Sequence, residues 1–223
     1  RLAPLAAWFP GTNRPQRPPE PSAEPRQPSP WGDGPGSAPR NERRQSMIID
    51  PPSGRAPLRE SAIAKRNQNL ITLTDGWLNH TPWERCITRG IPGGMFPGGY
   101  GAGYQILQAP GYVVIFYEMI HEARIIPIDE RATLSEDIRL WNGDPRGHWD
   151  GNTLVIKTTN LNDLMWMDHI GTFLSPNVTT EERITFVDEN TLHYEQTITD
   201  PNVFTQPVTI SVPFLRSVTD NPV

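Results

Sequence analysis

Two short stretches gather the side chains that chemistry would need. YEMIHEAR places Glu118, His121, Glu122 and Arg124 within seven residues, and GDPRGHWD places Asp144, Arg146, His148 and Asp150 within another seven. Two carboxylates and an imidazole can run general acid–base hydrolysis or elimination when one carboxyl is held protonated. Glu118, Glu122 and His148 are the set that a hydrolase or lyase would use. A metal fits less well, because EMIHE is not HExxH and without a helix the two-ligand spacing fails. On an extended strand His121 points away from Glu118 and Glu122. The structural alternative is a Glu–Arg pair inside or at the rim of a barrel, with Asp144 and Asp150 holding turns through their side chains. The pattern therefore yields no catalytic residue, no metal site and no cofactor.

The elements that must position these residues are strands. YQILQAPGYVVIFYEMIHEARIIPID reads as a hairpin around APG, continuing into a further extended run rich in β-branched and aromatic residues. Uninterrupted alternation puts Val113, Ile115, Tyr117 and His121 on one face, with Glu118, Glu122, Arg124 and Ile126 on the other, unless a bulge intervenes. NGDP and DGN mark turns around strands at 138–141 and 153–159. EERITFVDENTLHYEQTITDPNVFTQPVTISVPFL reads as three more antiparallel strands. The predicted fold is mainly β, an antiparallel meander forming a closed or nearly closed, lipocalin-like barrel, with a β-sandwich as the alternative. One short helix is expected over 57–69.

The glycine-rich run GIPGGMFPGGYGAGY lacks both the GxxxxGK[ST] pattern and a strand-to-helix setting, so a phosphate loop is not supported. Its glycines fit a tightly packed loop with Met95, Phe96, Tyr100 and Tyr104 folded over it. The net charge of −5 and the pI near 5.5 argue against nucleic acid as a partner. Cys86 is the single cysteine, which rules out an intrachain disulfide. The longest apolar run, around 112–117, is far too short for a membrane helix.

Residues 1–57 contain fourteen of the 25 prolines and show no apolar period, which marks an extended arm preceding a single β-rich domain at 58–223. Trp8, Phe9 and Trp31 are its natural anchors on another surface. A second candidate for partner binding is Leu164, Met165, Trp166 and Met167, an apolar run where a polar loop would be expected. If the barrel instead holds a small ligand, Tyr117, Glu118, Glu122, Arg124, Trp141, His148 and Trp149 are the residues placed to line its mouth.

The motifs WERCITRGIPGGMFPGGY, YQILQAPGYVVIFYEMIHEARIIPID, IRLWNGDPRGHWDGNTLVIKTTNLND and ERITFVDENTLHYEQTITDP, in that order, resemble a large uncharacterised family of exported bacterial proteins abundant in acidobacteria-like genomes. The resemblance covers roughly residues 47–215. It implies a periplasmic or secreted location, and it implies no activity. The extended arm departs from the family pattern. Together these features predict a non-enzymatic accessory or assembly subunit tied by its arm to other protein subunits, a membrane complex among the candidates.

Overall fold

A computed structural model describes residues 46–97 and 103–216, together with the backbone of Ala7–Pro10. The alternating runs become strands β3 (Tyr104–Ala109), β4 (Tyr112–Tyr117) and β5 (Ala123–Pro127), paired antiparallel in succession. Between β4 and β5 the chain makes a single 3-10 turn, Met119–His121, with Ile120 and His121 at φ +67° and +55°. That turn resets the alternation. Val113, Ile115 and Tyr117 are buried alongside Arg124 and Ile126, which unbroken alternation places on the opposite face. Glu118 is left exposed and Glu122 half-buried, so the shared Glu–Arg face is not formed.

Strands β6 (Asp144–Asp150), β7 (Thr153–Thr159), β8 (Thr179–Asp188), β9 (Thr191–Thr199) and β10 (Val208–Arg216) form the antiparallel meander expected of the second half. The strand predicted at 138–141 reduces to one parallel bridge between Leu140 and Leu161, and the strand starts instead at Asp144. Pro145 is compatible with that position because β6 lies at the sheet edge, where a missing N–H costs no ladder bond. The helix α1 (Glu60–Ile71) is present and buries Ala62, with Ile63 and Leu70 exposed.

The sheet runs in the order β5-β4-β3-β1-β10-β9-β8-β7-β6, where β1 (Ala7–Pro10) lies between β3 and β10, and β2 (Ile48–Asp50) also pairs with β10. The predicted closed or nearly closed, lipocalin-like barrel is not formed, because β5 and β6 are both edges and no ladder joins them. Instead the sheet folds over so that its limbs face each other, an arrangement compatible with the sandwich-like alternative. Ile126 of β5 lies where a Cβ on Gly147 of β6 would come within 2.9 Å, so the edges meet through side chains. The interior is filled by one cluster containing Ile106, Ile115, Ile126, Ile156, Ile184, Tyr194 and Phe214, and a second cluster beneath α1 containing Leu161, Met165, Leu174 and Phe204.

β1 and β2 lie along the same edge of β10, since β9 occupies the other. Pro10 stands opposite Phe214, Ile48 opposite Ile210, and Ser211 N–H donates to the Met47 carbonyl at 2.9 Å. Both short strands run antiparallel to β10. They pair with successive parts of the same side of β10, β1 bridging it to β3, and residues 11–47 lie between them in sequence.

Candidate functional site

The residues predicted to line a ligand mouth are only partly brought together, Tyr117 with Arg124 and near Glu122. Tyr117 and Arg124 belong to the filled interior, where both terminal nitrogens of Arg124 bond the Glu182 carboxylate, one at 2.9 Å, and one also donates to Thr158 Oγ1 at 3.1 Å. Tyr194 donates its hydroxyl to Glu182 Oε1 at 2.8 Å. Burial works against the Arg124 charge, but the adjoining Glu182 carboxylate outweighs it and raises the guanidinium pKa further. Glu118 accepts from Gly103 N–H at 3.1 Å on the outside of the sheet. Glu122 takes hydrogen bonds from Thr88 Oγ1, at 2.6 Å, and from the Asn142 amide. Trp141 is half-buried against the second cluster, whereas His148 and Trp149 are exposed on β6. Among the described residues, His148 shares no hydrogen bond or ion pair with Glu118 or Glu122, so the acid–base set is not assembled. No group of three His, Cys, Asp or Glu converges on a metal position among the described residues either.

The concave site lies elsewhere. A cleft of about 350 Å³ is lined by Trp83, Phe96, Met165, Trp166 and Met167, with Arg89, His169, Ser46, Met47 and Ile48 also on its wall. Met165–Met167 is held by a small antiparallel turn in which Met167 N–H donates to the Thr172 carbonyl at 2.7 Å and Leu174 N–H to the Met165 carbonyl at 3.2 Å. Alternation along that turn buries Met165 and Met167 and leaves Leu164 exposed. Asp168 Oδ1 fixes the bend by accepting from the amides of Ile170 and Thr172, both at 3.0 Å. Gly90 makes room for Met165: any Cβ there would lie 1.5 Å from the Met165 terminal methyl, and its φ is +64°.

The polar rim is arranged around Trp83. The His169 ring lies 4.3 Å from it, centroid to centroid, and the Arg89 guanidinium sits 4.4 Å over its face. Partial burial, followed by the nearby Arg89 charge, holds the His169 imidazole below its ordinary pKa, so it is neutral at neutral pH. Thr81 and Glu84 bond reciprocally at the start of the following turn: Thr81 N–H and Oγ1 donate to Glu84 Oε2 at 3.0 Å, and Glu84 N–H donates to Thr81 Oγ1 at 3.1 Å. The Thr81 amide, with partial burial opposing it, holds the Glu84 carboxyl below its ordinary pKa.

The site is thus an apolar, sulfur- and aromatic-rich cleft with Arg89, Asp168 and His169 at its polar rim. It contains Met165, Trp166 and Met167 of the predicted partner-binding set. Trp83, Arg89 and His169 are additions that the sequence did not single out for binding. For Trp83 and Arg89 the prior signal was aromatic and basic residues beside the glycine-rich run, and for His169 its place just after the LMWM run. Of the other predicted anchors, Trp8 and Phe9 lie on β1, described by its backbone alone, and Trp31 lies outside the described residues. No helix among the described residues is long and apolar enough to cross a membrane. Comparison with protein-family models and with curated proteins finds no match to this chain.

Proposed function

We propose that the protein is a non-enzymatic, extracytoplasmic accessory subunit that presents its proline-rich segment and the adjoining cleft to other subunits of a larger protein complex. The observation that carries this reading is the placement of Pro10 and Met47 on one edge of β10. Three or four strand residues, about 10 Å, would bridge that edge, yet 37 residues intervene between Pro10 and Ile48. A segment so much longer than closure requires, and unable by composition to build its own core, serves a purpose outside the sheet. Ser46, Met47 and Ile48, which follow that segment directly in sequence, are among the residues that line the cleft. The uncharacterised exported family suggested by the sequence motifs supports the location.

The test replaces residues 11–45 with a four-residue Gly-Ser linker in a tagged chain expressed in the source organism. The expected result is an unchanged melting temperature with loss of the co-purifying assembly. An assembly retained intact by the shortened chain would sink the docking role, and recovery of the protein in the cytoplasmic fraction would sink the location.

Small-ligand binding is the second reading, favoured by the cleft volume, which lies in the range of small-molecule pockets. It predicts that native mass spectrometry of the purified chain detects a bound small molecule that is lost on Trp83→Ala.

A further inference from the structure

β1 fills a slot between two strands. β3 and β10 do not pair with each other. Each pairs instead with Ala7–Pro10, Trp8 standing opposite Tyr104 on one side and Arg216 on the other. The floor of the slot is built by the flanking strands themselves. Tyr104 of β3 and Phe214 of β10, both buried, meet edge to face with ring centroids 5.4 Å apart. The row continues to Tyr117 at 5.5 Å and Tyr194 at 5.6 Å, and Tyr104 donates its hydroxyl to the Gly94 carbonyl at 2.8 Å. These contacts hold β3 and β10 at a fixed spacing without using any residue of β1. An acceptor for a short extended segment is therefore preformed.

The segment that matches this acceptor on both sides is Ala7–Pro10, and every copy of the chain carries it. Its tether is long. An extended proline-rich chain advances about 3.1 Å per residue, so 37 residues can span on the order of 100 Å, several times the radius of a domain this size. We infer that β1 is exchangeable, and that the slot of one molecule accepts Ala7–Pro10 of a second copy, giving a reciprocal strand-swapped dimer. The inference is independent of the docking reading, because it needs β1 and the slot but no outside partner. Tethering gives the strand an effective concentration of roughly millimolar in its own slot, so the monomer dominates in dilute solution and the dimer forms on concentrated co-refolding.

The test uses the register pair Phe9–Leu215 in chains carrying Cys86→Ser. One full-length chain carries Phe9→Cys, and a second, differently tagged, carries Leu215→Cys. The two are unfolded, mixed, refolded at high concentration and oxidised. Exchange predicts a disulfide-linked heterodimer at least tenfold above the yield from Phe9→Cys mixed with Val187→Cys, an exposed site on β8. A yield no higher than that control overturns the inference. So does a double Phe9→Cys/Leu215→Cys chain that forms no internal disulfide, since β1 would then not occupy the slot. Without any cysteine substitution, light scattering should find a dimer of the unmodified chain after concentrated refolding that disappears when residues 1–10 are deleted. Its absence, or its survival in the deletion, also overturns the inference.

Discussion

Arg124 on β5 grips Glu182 on β8 through both terminal guanidinium nitrogens, although five strands separate β5 from β8 in the sheet order. The pair connects the two limbs of the folded-over sheet where backbone hydrogen bonds do not. Removing one partner leaves an uncompensated buried charge, which costs about 3–5 kcal/mol. Arg124→Met and Glu182→Leu are each expected to lower stability by about that much in urea unfolding. The double substitution Arg124→Met/Glu182→Leu is expected to recover most of the loss. Equal losses in single and double variants would show that packing, rather than charge compensation, decides the effect.

Alkaline pH should unfold the protein through its interior phenols. Burial, with Arg124 opposing it, pushes the Tyr117 pKa from 10 up to about 12, and burial also raises Tyr104 and Tyr194. Below the unfolded value near 10 both states keep the proton, and stability is unaffected. Above it the unfolded chain ionises first, so stability is lost as pH rises from about 10 towards about 12. Tyrosinate absorbance from the buried rings is expected to appear together with loss of the near-ultraviolet circular dichroism. Tyr117→Phe should make the decline in stability less steep.

His169 reports on the cleft rim. Its imidazole is held below the ordinary histidine pKa by burial first and by Arg89 second. Arg89→Ala should move the midpoint upward in an NMR titration without restoring it fully, because the burial contribution stays. An unchanged midpoint would show that Arg89 does not act on His169.

Gly90→Ala combines a left-handed backbone position with a collision against Met165. A loss of about 1–3 kcal/mol is expected from the backbone alone, with more from displacement of Met165. Pairing it with Met165→Ala relieves the collision but not the backbone strain. In calorimetry the strain is measured by comparing the double variant with Met165→Ala alone.

Local pattern made β3, β4 and β7 to β10 legible in the sequence: β3, β4 and β8 bury alternate side chains, and β7, β9 and β10 are runs rich in β-branched residues between turn signals. The 3-10 turn at Met119–His121 was not legible, and it moved Arg124 from an imagined ligand face into the core. Nor was β1: AWFP is four residues long, ends in proline and becomes a strand only through pairing with residues about 95 and 205 positions away. Barrel closure failed as a prediction because strand count and turn spacing do not reveal whether the first and last strands of a sheet pair. The cleft escaped notice for a similar reason. Ser46–Ile48, Trp83–Phe96 and Met165–His169 are separate in sequence, and only the LMWM run announced itself.

The split pairing of β1 and β2 along β10 also determines where this chain can change in length at little cost to the fold. Loop-closure entropy grows only logarithmically with length, so doubling residues 11–47 would cost on the order of 0.6 kcal/mol, less than a single lost core methylene. Changes of length within residues 11–45 alter none of the residues by which β1 and β2 pair with β10. The segment can therefore diverge at a rate set by whatever it meets, while the sheet that carries it stays the same.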